Sequence, residues 1–141
     1  MIKSLLTAAT LATSLLVLPG CATTSASSTA SKVVFQVSDN DAQKWNLALN
    51  NAKNVQAAMG EGATVEIVAY GPGIGMLTAD SSTSNRVAAA VKSGVNVVAC
   101  QNTMRAKKLT AADMNPAIGY VPSGVVELMA KQQQGWSYVR P

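Results

Sequence analysis

The 141-residue sequence contains no histidine. That removes Ser-His-Asp and Cys-His catalysis in their usual forms, and with them the commonest zinc ligand. Acidic residues number only seven and are scattered, without the close spacing of a metal box or a glycosidase pair. Asp39 and Asp41 sit where a helix begins and read as its caps. No metal and no cofactor is therefore expected. Aromatic residues make up 4% of the chain, and the formal charge is a mild +4. Runs of Lys/Arg interleaved with aromatics are missing, so nucleic acid is not an expected partner. The stretch Gly71-Pro72-Gly73-Ile74-Gly75 lacks the Gly-Lys-Ser/Thr of a Walker loop and the spacing of G-x-G-x-x-G, which argues against a nucleotide site. It reads as a tight turn or as one wall of a small-ligand pocket. Cysteine is scarce too: the chain has two, Cys21 and Cys100.

What is present is a hydrophobic chain with room for one domain. It is 48% hydrophobic and 13% charged, so a core can form and global disorder is not expected. Residues 1–20 read as an export signal: Lys3 supplies the positive start, and Leu5 to Leu18 is an apolar core too short for a membrane span. The run ends Leu18-Pro19-Gly20-Cys21, which resembles the lipobox of bacterial lipoproteins, in which the cysteine carries the lipid and begins the mature protein. Ala22 and Thr23 place no acidic residue after it, which resembles sorting to the outer membrane. The expected location is periplasmic, with the membrane as a partner through the lipid anchor. Residues 21–31 are rich in Ala, Ser and Thr and read as a flexible tether, leaving 32–141 as the folded domain.

That domain alternates strand and helix patterns. Lys32 to Ser38 is an apolar first strand, and Ser38 and Asp41 have capping-box spacing before a helix with Trp45, Ala48, Leu49, Ala52, Val55 and Met59 on one face. Thr64 to Tyr70 is a second strand leading into the glycine-rich stretch, and Met76 to Asp80 reads as a helical turn. A helix over Asn85 to Ser93 precedes a third strand, Val95 to Ala99, which exits at Cys100 into a short helix, Gln101 to Lys107. Thr110 and Asp113 repeat the capping spacing before Asn115-Pro116. Ile118 to Val121 is a fourth strand. Pro122-Ser123-Gly124 opens a helix whose Val125, Val126, Leu128 and Met129 are expected to face the sheet, and Trp136 to Val139 is a last strand. Such alternation predicts an α/β fold with a parallel sheet covered by helices on both faces.

Cys100 is the chemical focus. With Cys21 lipidated it has no intramolecular partner, so it is either a buried inert thiol or one kept for a purpose. A strand's carboxyl end followed by a helix start is where open parallel sheets bind ligands, and a helix start favours thiolate over thiol. Asn102 and Thr103 can donate hydrogen bonds there, or merely cap the helix; Arg105, and less directly Lys107 and Lys108, can attract an anionic substrate.

Several strings then resemble the DsrE/DsrF-like family: Asp39-Asn40-Asp41-Ala42-Gln43-Lys44-Trp45, Ala69-Tyr70-Gly71-Pro72-Gly73, Cys100-Gln101-Asn102-Thr103-Met104-Arg105, and Val121-Pro122-Ser123-Gly124-Val125 with Gly135-Trp136. The likeness covers nearly all of 32–141. It implies a three-layer α/β/α domain with a five-stranded, mainly parallel sheet, commonly assembled as trimers or hexamers. It also implies sulfur carried as a persulfide on a cysteine, here Cys100, in sulfurtransferase-like relay with a sulfur donor or acceptor protein or a small anionic sulfur compound. Tyr70, Gly71, Gly73, Asn102, Thr103, Arg105 and Ser123 are the residues expected to bind around it. Two other readings remain open at this point. One is a non-enzymatic module that binds a small anion or ligand at the sheet edge, and the other an oligomeric envelope scaffold, which an exposed Trp45 or Trp136 would fit, although both read more readily as core.

Overall fold

The computed structural model describes residues 31–141. The export signal, the lipid site Cys21 and the tether to residue 30 lie outside the described residues. Among the described residues, no helix is long and apolar enough to cross a membrane.

Five strands, β1 (Lys32–Val37), β2 (Thr64–Ala69), β3 (Asn96–Cys100), β4 (Gly119–Val121) and β5 (Ser137–Val139), form a single sheet in the order β4-β3-β2-β1-β5. Every pairing is parallel. Four α-helices connect them: α1 (Ala42–Met59), α2 (Ser84–Lys92), α3 (Gln101–Lys107) and α4 (Gly124–Gln133). The chain steps outward from β1 to β4 and then returns across the sheet to β5. Parallel crossovers are right-handed, so the reversal of direction sends α4 to the opposite face from the helices before it.

Side-chain alternation separates the two faces. Val33, Phe35, Val65, Ile67, Val97 and Ala99 point to one, where they join Trp45, Leu49, Ala52, Val87 and Met104 in the main core. Val34, Val68, Val98 and Val121 point to the other, where Leu128 of α4 closes a smaller cluster. The α/β/α layering is as expected, but its outer layers are unequal.

Local details depart from the sequence pattern in ways that geometry explains. Asp41, not a Ser38–Asp41 box, caps α1: its carboxylate accepts from the amides of Gln43 at 2.8 Å and Lys44 at 3.4 Å. Asp39 is not a cap. It pairs with Lys44 and with Arg140, both at 3.2 Å, and its carbonyl accepts the Trp45 indole N–H at 2.7 Å. Met59, expected on the inward face, is the last residue of α1 and is 58% exposed. The expected helical turn starts earlier, as a 3₁₀ stretch over Gly71–Leu77 that buries Ile74, Met76 and Leu77. The Thr110–Asp113 box is formed, on a 3₁₀ turn, Ala111–Asp113. The largest departure is α4. Val125, Val126 and Met129 are 52%, 59% and 55% exposed, and Leu128 alone of the four expected residues is buried. Pro122 precedes the helix, since Ser123 is the N-cap.

Candidate functional site

The carboxyl ends of β2, β3 and β4 converge with the starts of α3 and α4, and Cys100 lies at their meeting point. It is at once the last residue of β3 and the N-cap of α3, in extended backbone conformation. Alternation along Asn96–Cys100 puts its side chain on the same face as Val98, the face that α4 covers. The residue is only 4% exposed.

Burial in apolar surroundings pushes the Cys100 thiol up, and this is the largest influence on it. It is outweighed by the hydrogen-bonding influence of the Thr103 hydroxyl and of the backbone amides of Gly124, Thr103 and Asn102, and the net direction is below the usual cysteine range. No charged side chain is among these causes. The sulfur is thus prepared for negative charge by neutral donors from two helix starts, which is the arrangement that favours thiolate.

Thr103 is oriented by a second bond. Its Oγ1 accepts the Gly71 amide at 2.9 Å, leaving its own proton free to point at the sulfur. Gly71 adopts φ +54°, a left-handed conformation that turns the chain out of β2 toward α3. Gly73 is demanded by packing: a Cβ there would lie 2.4 Å from the Val37 carbonyl oxygen. Gly71 is therefore tied to the sulfur through Thr103, whereas Gly73 seats the 3₁₀ stretch on the end of β1.

The remaining expected residues divide. Asn102 contributes its backbone, whose amide also approaches the Pro122 carbonyl at 3.2 Å, while its side-chain oxygen accepts from Arg105. Arg105 points away from the sulfur and lines an open groove of about 310 Å³ with Gln101, Leu109 and Tyr120. Ser123 caps α4 through its backbone and makes no side-chain capping bond. Tyr70 backs Gly124 so tightly that a Cβ on that glycine would lie 3.0 Å from the Tyr70 Cβ.

Sequence reasoning missed three residues. Gly124 donates to the sulfur. Its lack of a side chain, against which Tyr70 packs, was the available signal that the chain comes close there. Glu66 and Lys131 form an ion pair at 2.7 Å on the same face of the sheet. A carboxylate in the middle of the apolar strand Thr64–Ala69 was the available signal, because a buried charge needs a partner.

The DsrE/DsrF-like family matches residues 31–141. MTH1491 from Methanobacterium thermoautotrophicum, a protein of unknown function, has a similar structure with a TM-score of 0.75 and 34% identity, over 79% of this chain and 99% of that one. BT1422 from Bacteroides thetaiotaomicron, also of unknown function, shares the fold with a TM-score of 0.61 and 14% identity, over 78% and 94% of the two chains. Comparison with curated proteins finds no match. The chain belongs to the DsrE/DsrF-like family.

Proposed function

We propose that this DsrE/DsrF-like protein accepts and passes on sulfur as a persulfide on Cys100, in the cell envelope. The observation that carries the reading is the place of Cys100 as the last residue of β3 and the N-cap of α3, beside Thr103, whose hydroxyl is fixed by the Gly71 amide. A merely structural thiol gains nothing from a hydroxyl held in place by Gly71 and from amides of two helices. The reaction they suit is a transfer without net redox change. The Cys100 thiolate attacks the outer sulfur of a donor persulfide, R–S–SH; the new S–S bond forms as the donor's S–S bond breaks. Cys100 then holds S–SH, and the donor leaves as the thiolate R–S⁻. The burial of Cys100 favours a small anionic sulfur compound, or an exposed terminal persulfide on a partner protein, over a bulky donor. Before the attack, Thr103 and the amides of Asn102, Thr103 and Gly124 favour the negative charge on the Cys100 thiolate.

The rest of the proposal follows the sequence. Cys21 carries the lipid and tethers the domain to the periplasmic side of the membrane, the outer membrane by its following residues. The protein works as a homo-oligomer, a trimer or a hexamer in keeping with the family resemblance, and the apolar outer side of α4 is the face a second copy would cover.

The test is intact mass after exposure to polysulfide, with Cys100→Ser as control. Addition of one or more sulfur atoms to the wild type, absent from the variant and reversed by reductant, is expected. No gain, with the thiol intact after unfolding, would leave the anion-binding reading. Retention of small-anion binding by Cys100→Ser would support that reading.

A further inference from the structure

We propose that the buried Glu66–Lys131 pair is a positioning device for Cys100, which fixes α4 so that the Gly124 amide stays on the sulfur. The inference rests on Cys100 being the reactive group. It begins from a carboxylate in an expensive place. Glu66 is 1% exposed, and its Oε2 accepts from Lys131 Nζ at 2.7 Å and from Asn96 Nδ2 at 2.6 Å. Its Oε1 is buried without any partner. A buried pair of this kind adds little stability over well-packed apolar residues, so its presence calls for a geometric reason.

The course of α4 supplies one. Gly124, Leu128 and Lys131 follow the i, i+4, i+7 spacing of one helix stripe, and that stripe faces the sheet. Gly124 meets the Cys100 sulfur, Leu128 meets the small cluster, and Lys131 meets Glu66. The helix therefore runs back along β2 and β3 from the thiol end to the ion-pair end. From Gly124 to Lys131 it advances about 10 Å, close to the roughly 13 Å of strand from Glu66 to Tyr70. One buried leucine does not fix a helix against sliding or rolling. Two short, directional attachments at its ends do, and at the thiol end the close fit of Gly124 on Tyr70 sets the depth.

Lys131 is itself held on every side. Glu66 and Asn96 reach it or its partner from β2 and β3, Glu127 of its own helix lies 3.3 Å away, and the Trp136 ring stacks 4.4 Å beneath its ammonium. Around Cys100 the facing groups are the Thr103 hydroxyl and the amides of Asn102 and Thr103 on α3, the Gly124 amide on α4, and Tyr70 behind that glycine.

The experiment follows alkylation of Cys100 by iodoacetamide against pH in the full chain, read on the Cys100 peptide by mass spectrometry. The proteins are wild type, Lys131→Met, and the double variant Glu66→Gln with Lys131→Met, which removes both charges and keeps the bulk. Wild type is expected to titrate below the usual cysteine range. Each variant is expected to titrate about half a pH unit or more higher, so that its rate at neutral pH, taken as a fraction of its own high-pH plateau, falls about threefold. A wild-type midpoint retained in the folded double variant would overturn the positioning role and leave the thiol's reactivity standing. A wild-type midpoint at or above the usual cysteine range would overturn the reactive-thiol reading first, and this inference with it.

Discussion

The two faces of the sheet are built by different rules. On one, α1, α2, α3 and the 3₁₀ stretch cover the strands with a continuous apolar core around Phe35, Ile67 and Val97. On the other, α4 alone meets a small valine cluster, with a buried carboxylate at one end and a thiol at the other. The first face has the composition of a scaffold. The second carries the buried ion pair, whose burial opposes folding and which therefore needs a chemical reason to be there. Stability and chemistry are divided between the faces by the alternation of the strands themselves, since Ile67 and Glu66 are neighbours in sequence and lie on opposite sides.

That division is most severely tested by truncating one large side chain on each face. Phe35→Ala is expected to cost about 3–5 kcal/mol, because the crowded core around it cannot collapse into the space. Leu128→Ala should cost nearer about 2 kcal/mol, since α4 can settle onto the sheet and solvent is close. Urea unfolding of both variants measures the difference. Equal losses would mean that the thin face is as important to the fold as the thick one.

The thick face was legible in the sequence and much of the thin one was not. Period-3.6 apolar spacing from Trp45 to Ala52, and apolar runs in β1, β2 and β3, announce elements whose burial is decided by many neighbours at once. Val125, Val126 and Met129 carry the same apolar signal, yet they face outward, because a helix alone on a sheet face has only one narrow stripe to bury. Cys100 was found from its place at a strand exit. Its donors were only half visible: Thr103 lies within the same short motif, while Gly124 comes from another strand's end, and Gly71 acts through Thr103. Arg105 shows the converse, since nearness in sequence to Cys100 did not bring its side chain to the sulfur. The Glu66–Lys131 pair joins residues far apart in the chain, and only the return of β5 beside β1 brings α4 over β2.

A smaller effect sharpens the contrast at the thiol. Thr103→Val keeps the shape but removes the hydroxyl, leaving the Gly71 amide without its acceptor. A cost of about 1–3 kcal/mol is expected. Because the folded Cys100 thiol lies below its unfolded value, the wild type should gain stability as pH rises through the folded pKa toward about 8.5, hold it above, and lose it as pH falls back through the folded pKa. In Thr103→Val that gain should shrink, and in Cys100→Ser it should vanish. Denaturant unfolding at several pH values up to about 9.5 follows it. An unchanged pH dependence in Thr103→Val would remove Thr103 from the donor set.

The outer side of the thin face should matter least to the isolated domain and most to its assembly. Val125 and Val126 are more than half exposed, so replacing both by Ser is expected to change unfolding free energy by no more than about 0.5 kcal/mol each. If a second copy covers this side, the same double variant should shift the particle from oligomer to monomer in light scattering. Burial of the two valines would also stiffen α4 from outside, just where Lys131 and Gly124 hold it from within. The monomeric variant should then alkylate faster at Cys100 at a pH where the thiolate is fully formed, since the helix covering the sulfur has lost its outer support. An oligomer unchanged by the substitutions would place the contact elsewhere and leave α4 held by its inner stripe alone.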